Sequence, residues 1–382
     1  MQPPERSPPP IVIVGASVRA AAFSAMRAGY APRCVDLFAD ADLKARCSTI
    51  AVNRYPADLF AAARKIPAAD WLYTGGLENY PTSIDRLAER GLLLGNRGAV
   101  LRRVRDPHEL SRRLTAHGFA VPQCAAYADG LPCNGSWLVK RRGASGGMHV
   151  RPWLGQVLDG GATRYVWQQR IDGDPLAAVY VGAAGRAVLL GVTQQLLAGA
   201  RRPAAPFTYA GSRGPLRLGR VLEAQFVRLG QGLAAEFMLE GLFGVDVIAQ
   251  GDAIWPIEVN PRYTASIELL ERWLQHPAIS WHVAACRGGT LPHVKLIAAQ
   301  PVYEKQILIA RRSLEFDAAT TSWLFDCNHD LRWPRVADIP SPGARINPGE
   351  PVMTVFADGS DQVQSSAVVA QINERLGENA CW

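Results

Sequence analysis

A chain of 382 residues, 48% hydrophobic and 20% charged, has the balance of an ordinary soluble globular protein. It is too long for one compact core, and about two to four subdomains are expected. The net charge of +7 leaves room for an anionic partner, but the arginines are scattered through helix-like segments (Arg86, Arg90, Arg102, Arg103, Arg112, Arg113), with no zinc spacing, basic helix or aromatic-basic repeat, which argues against nucleic acid.

The opening "MQPPERSPPP" reads as a proline-rich tail (residues 1–10) rather than a signal peptide, since it lacks a basic start followed by an apolar stretch. Seven cysteines, an odd number without a C-x-x-C pair, argue against a disulfide framework or a thiolate zinc site and fit a reducing cytoplasm. No run of about 18 apolar residues marks a membrane span.

"IVIVG" (Ile11–Gly15) is a continuous apolar strand ending in glycine, and Ala16–Gly29 reads as a helix. A strand around Ala31–Phe38 completes a βαβ unit. "DWLYTGGLENYP" (Asp70–Pro81) predicts another strand running into a Gly-Gly loop, then a helix Thr82–Arg90 and a short strand "GLLLGN". The pattern is a parallel, doubly wound domain over residues 11–105, with ligand-facing loops at its strand C-termini. One glycine stands where a dinucleotide fingerprint has three, which speaks against NAD.

From Asp106 the texture changes. "DPHELSRRLTAHGFAVPQ" predicts a helix capped by Asp106 and Pro107 and ended by Gly118. A strand "SWLVKRR", a turn "GASGGM" and strands within "HVRPW", "RYVWQQRIDGDP" and "LAAVYVGAAGRAVLLGVTQQLL", the last two around an Ala183–Gly185 turn, predict a mainly antiparallel block Trp137–Leu197. We place one subdomain at 106–197 and a larger one at 198–382. The larger carries a helix Leu218–Glu236, strands flanking Gly251–Asp252, a helix Ser266–Leu274, strands in "YEKQILIARR" and "PVMTVFA", and a last helix near Ser366–Leu376.

Two constellations carry chemistry. In "LFGVDVIAQGDAIWPIEVN", a turn centred on Asp252 would set Asp246 directly across from Glu258, and opposed acids repel unless a cation or a shared proton intervenes. Asn260 lies two residues on, with Glu258 on the strand face opposite Ile257 and Val259. Oxygen donors without His or Cys point to a hard ion, Mg²⁺ or Mn²⁺. A turn shifted by one residue would separate the two acids onto opposite faces. The second constellation is Lys140 at the end of an apolar strand, followed by Gly143, Ser145, Gly146 and Gly147. Such a loop can bring backbone N–H groups to phosphate with a lysine at its base, or it can be an ordinary hairpin turn with a surface lysine.

The order of a lysine strand, a glycine loop, "QQRIDG", a D-x11-E pair and "EVNPR" resembles the ATP-grasp superfamily over essentially the whole chain. "YTGGLENYP", "EVNPRYTASIELLE" and "DIPSPGARINPGEPVMTVFA" resemble its predicted ATP-dependent carboligase branch, related to biotin carboxylase and associated with methanopterin-linked one-carbon metabolism.

The resemblance implies an α/β (α+β) fold, in which a doubly wound domain precedes a clamp of two α+β subdomains. It implies ATP and Mg²⁺ (or Mn²⁺) as cofactors, small-molecule carboxylate and amine substrates, and a cytoplasmic enzyme that allows a homodimer. Asp246, Glu258 and Asn260 would hold the metal, Lys140 the phosphates, and Ser145, Gly146 and Gly147 would form a flap over them. Arg262 would stabilise charge in phosphoryl transfer, or pair with Glu258 or Glu268. Gln168, Gln169 and Ile171 would form the adenine hinge and Asp174 would reach the ribose.

Pro107 stands where many relatives have a lysine, so one phosphate contact is missing or falls to Arg103 or Arg105. Candidate acceptor loops are Thr74–Glu78 and "PFTYAGSRG", with Tyr209, Ser212 and Arg213. The activity implied is carboxylate activation as an acyl phosphate for attack by an amine, in one-carbon cofactor biosynthesis. The alternatives are bicarbonate-dependent carboligation through carboxyphosphate and non-catalytic nucleotide binding.

Overall fold

The computed structural model describes residues 7–159, 162–199, 204–294, 301–330, 332–358, 362–377 and 380–381. Strand β1 (Pro10–Gly15) is buried along almost its whole length, as its unbroken apolar run demands. It leads into α1 (Arg19–Arg27), β2 (Ala31–Asp36), α2 (Ala41–Arg46), β3 (Ser48–Ala51), α3 (Leu59–Ala63), β4 (Trp71–Tyr73), α4 (Pro81–Leu87) and α5 (Gly98–Val104). The four strands make a parallel sheet in the order β3-β2-β1-β4, so the loops after β1 and β4 flank the point where the winding direction changes. The expected "GLLLGN" strand is a single parallel bridge, Trp71 to Leu93.

Helix α6 (Pro107–Ala116) starts where Asp106 Oδ1 accepts from the His108 and Glu109 backbone N–H groups, at 2.8 and 3.1 Å. It is followed by β5 (Cys124–Ala125), β6 (Trp137–Arg141), β7 (Val150–Pro152) and β8 (Tyr165–Gln169), which form a small sheet in the order β5-β8-β6-β7. That sheet is packed around Val139, Trp153, Tyr165 and Trp167.

Next come β9 (Asp174–Ala183), β10 (Arg186–Leu197), β11 (Tyr209–Gly214), α7 (Arg220–Phe237), β12 (Gly241–Gln250), β13 (Ala253–Asn260), α8 (Ile267–Leu274) and α9 (Ala278–Gly288). The chain ends with β14 (Tyr303–Ile309), β15 (Leu314–Glu315), α10 (Ala318–Asp326), β16 (Val336–Ala337), β17 (Arg345–Ile346), β18 (Pro351–Asp358) and α11 (Gln362–Leu376). The large sheet runs β13-β12-β9-β10-β11-β14-β18-β16, and β15 and β17 form a separate ribbon.

The expected block Trp137–Leu197 is therefore not one sheet. Its last two strands pair with each other through a turn with positive φ at Ala184 (48°) and Gly185 (73°), but β9 also pairs along its length with β12. The change of sheet falls at 170–173 rather than 197. Helix α6, placed with the small subdomain from sequence, packs Leu110 and Leu114 into the same core as Phe226, Leu229 and Leu233 of α7. Hydrophobic periodicity identifies a strand's faces but not its neighbour, so the pairing of β9 with β12 is visible only in the structure.

Among the polar contacts that join the first domain to the rest of the chain, two are deeply buried. Arg19 of α1 is buried and bound to Glu268 and Asp338, and Lys305 Nζ reaches Glu268 at 3.0 Å. His282 of α9 accepts from the Leu242 N–H at Nδ1 (2.8 Å) and its Nε2 lies 3.1 Å from the Leu94 carbonyl, an arrangement that suits the neutral ring protonated on Nε2.

Burial pushes the His282 imidazole down to about 4, against the Leu94 hydrogen bond. A depressed histidine contributes stability that is present above about pH 6.5 and lost as pH falls towards 4. Urea titrations should show this contribution, on the order of 3 kcal/mol, disappearing across that window. In His282→Gln the slope there should flatten, and an unchanged slope would refute the assignment. Among the described residues no helix is long and apolar enough to cross a membrane.

Candidate active site

The β12–β13 hairpin turns on two residues, Gly251 and Asp252, with Gln250 opposite Ala253. Carried on without interruption, that register would put Asp246 across from Ile257 and separate the two acids. Ile257 is instead an extra residue: Val247 faces Pro256, the register shifts, and Asp246 faces Glu258 with Gly244 opposite Asn260. The sequence-based pairing is thus correct although the turn assumed for it is one residue out of place. The bulge also corrects a facing assignment. Ile257 lines the cavity beside Glu258, while Val259, which borders part of the same cavity, is packed in the core behind. Pro256 is tolerated because β13 is an edge strand.

Gln195 reaches from β10 to donate to Asp246 Oδ1 at 2.8 Å, and Asn260 Nδ2 donates to Oδ2 at 3.1 Å. Burial, with the Glu258 charge opposite, pushes the Asp246 carboxyl up to about 7. Burial acts on Glu258 in the same sense, but Arg105 and Lys140 outweigh it and its carboxyl is lowered. Among the described residues no three His, Cys, Asp or Glu side chains are placed to hold a metal ion by themselves. The donor set is two carboxylates and one amide oxygen, which suits a hard cation that takes its remaining ligands from phosphate and water.

Three cations surround this pair. Arg105 Nη1 binds Glu258 and lies 3.4 Å from Asn260 Oδ1, while its Nη2 donates to Asn79 Oδ1 at 2.9 Å. Of the two arginines suggested by sequence for the missing lysine, Arg105 is therefore the one in place. Arg103 turns away to Glu109 and the Glu236 carbonyl. Lys140 lines the cavity, its pKa lowered by burial despite the Glu258 charge.

Arg262 pairs with neither Glu258 nor Glu268. It donates from Nε (3.0 Å) and Nη2 (2.7 Å) to Glu78 of the first domain and from Nη2 to Asn260 Oδ1 (3.2 Å).

The cavity has two lobes, of about 410 Å³ and about 360 Å³, which share Lys140, Ser145, Gly146, Gly147, Gln168 and Glu258. The glycine loop forms its cover. Ser145 Oγ accepts from Asn79 Nδ2 at 3.0 Å, and Gly146 O accepts from the Tyr209 N–H at 3.0 Å. Gly147 has φ +73°, and a Cβ there would lie 1.9 Å from the Phe207 carbonyl oxygen, so no other residue fits without displacing the turn that precedes β11.

Gln168, Gln169 and Ile171 line the larger lobe. The Gln168 amide donates to the Ile257 carbonyl at 3.4 Å, and Gln169 Oε1 accepts from the Gln123 N–H at 3.2 Å. Asp174 is not among the lining residues. It stands exposed at the start of β9, because the chain has already crossed to the large sheet, and its neighbours Gly173 and Pro175 face the lobe.

Tyr209 and Ser212 line the larger lobe and hydrogen-bond to each other at 2.8 Å, whereas Arg213, on the alternate face of β11, is exposed. Sequence reasoning missed Gln195 and Asn79 and left Glu78 inside a general loop. The acid-amide pair in "GGLENYP" was the one available signal.

Residues 104–266 match the family model of the ATP-grasp domain. No curated protein matches the chain in sequence. Among solved structures, the biotin carboxylase domain dimer of Hydrogenobacter thermophilus 2-oxoglutarate carboxylase, in complex with MgADP, ADP and bicarbonate, superposes with TM-score 0.69 at 12% identity, covering 97% of this chain and 91% of its own. N5-carboxyaminoimidazole ribonucleotide synthetase of Thermus thermophilus gives 0.67 at 14%, covering 97% and 99%. An L-amino acid ligase of Bacillus licheniformis gives 0.67 at 14%, covering 97% and 98%. The fold is that of the ATP-grasp proteins, and ATP with Mg²⁺ is the cofactor pair of the matched domain.

Proposed function

We propose that the protein is an ATP- and Mg²⁺-dependent ligase that activates a small carboxylic acid as its acyl phosphate and passes the acyl group to an amine. The observation that carries this reading is the pairing of Asp246 with Glu258 beside Asn260, ringed by Arg105, Lys140 and Arg262, where the two lobes meet.

The base would lie in the larger lobe between Ile248, Ile257 and the Gln168–Ile171 hinge. Lys140, Arg105 and the N–H groups of the glycine loop would hold the phosphates at the waist. Asp246, Glu258 and the Asn260 oxygen would hold Mg²⁺, which when bound neutralises charge on the phosphate oxygens. A substrate carboxylate oxygen attacks the γ-phosphorus, the bond to the β–γ bridging oxygen breaks, and ADP leaves. Arg262, fixed by Glu78, would face the oxygens on which negative charge gathers. Tyr209 and Ser212 offer hydroxyl contacts for the rest of the acid.

A role in one-carbon cofactor biosynthesis rests on the sequence resemblance alone. So does a homodimer, and a cytoplasmic address rests on the cysteine pattern.

The test is ADP release by the purified chain with MgATP against a panel of acids, amines and bicarbonate. Release that requires an acid and an amine together supports ligation. Release with bicarbonate and no other acid replaces it with carboxyphosphate chemistry. ATP binding without turnover on any combination refutes the enzyme.

A further inference from the structure

Five acids line the two lobes: Glu78, Asp106, Asp172, Asp246 and Glu258. Asp246 and Glu258 oppose each other in the metal set. Asp106 caps α6 in solvent, and Asp172 is exposed beside Arg170. Glu78 differs from all of these. Its side chain is fully buried, its Oε1 takes both Arg262 N–H groups, and its Oε2 is buried with no hydrogen-bond partner. The Tyr55 hydroxyl, beside Gly76 of the same loop, is buried and likewise unpartnered, and a Cβ on Gly76 would lie 3.0 Å from it. A buried carboxylate oxygen without a donor is costly, and here it coincides with an unpartnered hydroxyl beside the loop that closes the doubly wound sheet at its change of direction.

We propose that Glu78 Oε2 receives the ammonium group of the nucleophile and takes a proton from it. This rests on the ligase reading above. The donors that would complete Oε2 are those of a cationic amine. The position fits the chemistry, because the same carboxylate holds Arg262, and an amine bound at Oε2 is one carboxylate away from the guanidinium that faces the acyl phosphate.

In the step that follows, the ammonium gives one proton to Oε2 and the nitrogen lone pair forms the C–N bond. The acyl C–O bond to phosphate breaks, and the second proton departs with the phosphate. Glu78 then releases its proton to solvent. Asn79, the next residue, holds both Arg105 and the Ser145 flap, so amine site and flap hang on one short segment.

The experiment compares two nucleophiles in the full chain with MgATP and the acid panel at pH 7.5. Hydroxylamine is neutral there and traps the acyl phosphate as a hydroxamate, whereas ammonium, methylamine and the standard amino acids carry the cation. Glu78→Gln keeps an oxygen for Arg262 and replaces the anionic acceptor by an N–H donor. The ratio of amine-dependent to hydroxylamine-dependent rate should fall about 100-fold, as for loss of a positioned base.

An unchanged ratio, with both rates lowered together, would mean that Glu78 serves only to hold Arg262 and would overturn the proposal. Hydroxamate formation with no response to any cationic amine would overturn it as well. Absence of hydroxamate from wild-type protein with every acid would instead remove the ligase reading, and this assignment with it. Should Glu78→Gln fail to fold, wild-type protein still decides: the cationic amine that supports turnover should show a KM at least about 10-fold below that of hydroxylamine, the gain expected of one charge-assisted contact, and equal values refute the site.

Discussion

Glu258→Ala should abolish nucleotide turnover and leave the protein folded. The carboxylate stands at the waist of the cavity, 38% exposed, and carries no packing load. Its removal takes away one of the two anionic donors of the proposed metal set and leaves Arg105 without its acid. Loss of a fixed charge that acts on the transferring phosphoryl group predicts a fall on the order of 10³-fold or more in kcat/KM, equivalent to about 4 kcal/mol. Stability should change by no more than about 1 kcal/mol, because the Asp246 carboxyl is relieved of a like charge while Arg105 loses an exposed-edge partner. ADP release and a urea titration on the same preparation check both halves. Full turnover in the variant would end the metal assignment.

Arg19→Met should be the most damaging single substitution for stability. Arg19 is 1% exposed and holds Glu268 through both terminal nitrogens and Asp338 from Nε at 2.8 Å, with Asp42 at 3.9 Å. Methionine fills much of the volume but leaves those carboxylates in the interior with Lys305, and more weakly Arg272, as counter-charges, so the loss should be about 3–5 kcal/mol. Burial alone would raise the Glu268 carboxyl. The charges of Arg19 and Lys305 hold it well below the usual range. Adding Glu268→Gln to Arg19→Met should recover part of the loss, a coupling that a double-mutant cycle measures. If Arg19→Met costs less than about 1 kcal/mol, the network does not hold the first domain to the sheet.

The network has a bearing on the site. Glu268 opens α8 only six residues after Arg262, and Arg19 opens α1 just after the β1 loop. Loosening it should also disturb the contact between Glu78 and Arg262.

What could be read from the chain alone was whatever short-range chemistry encodes. The apolar run of β1, the Asp106–Pro107 cap, the Gly-rich stretch after Lys140 and the acid spacing in "VDVIAQGDAIWPIEVN" depend on neighbours a few residues away, and each stands in the structure where its pattern put it. The pairing of Asp246 with Glu258 was legible because a hairpin confines both to one local ladder. The bulge at Ile257 was not, since an extra residue leaves the composition of the strand unchanged and shows only when the partner strand is in place.

Tertiary structure decided the rest. Arg105 and Glu258 are 153 residues apart, and Arg262 and Glu78 are 184 apart. Many arginines and many acids could have met by sequence alone, as the rejected pairings of Arg262 with Glu258 or Glu268 illustrate. Likewise β9 and β10 carry the alternation of sheet strands wherever they are placed, and only their pairing with β12 and β11 assigns them to the large sheet. Local periodicity specifies which face of an element is apolar, whereas the partner of a buried charge is set by which sheets and helices cover one another, a choice made by the burial of the whole core.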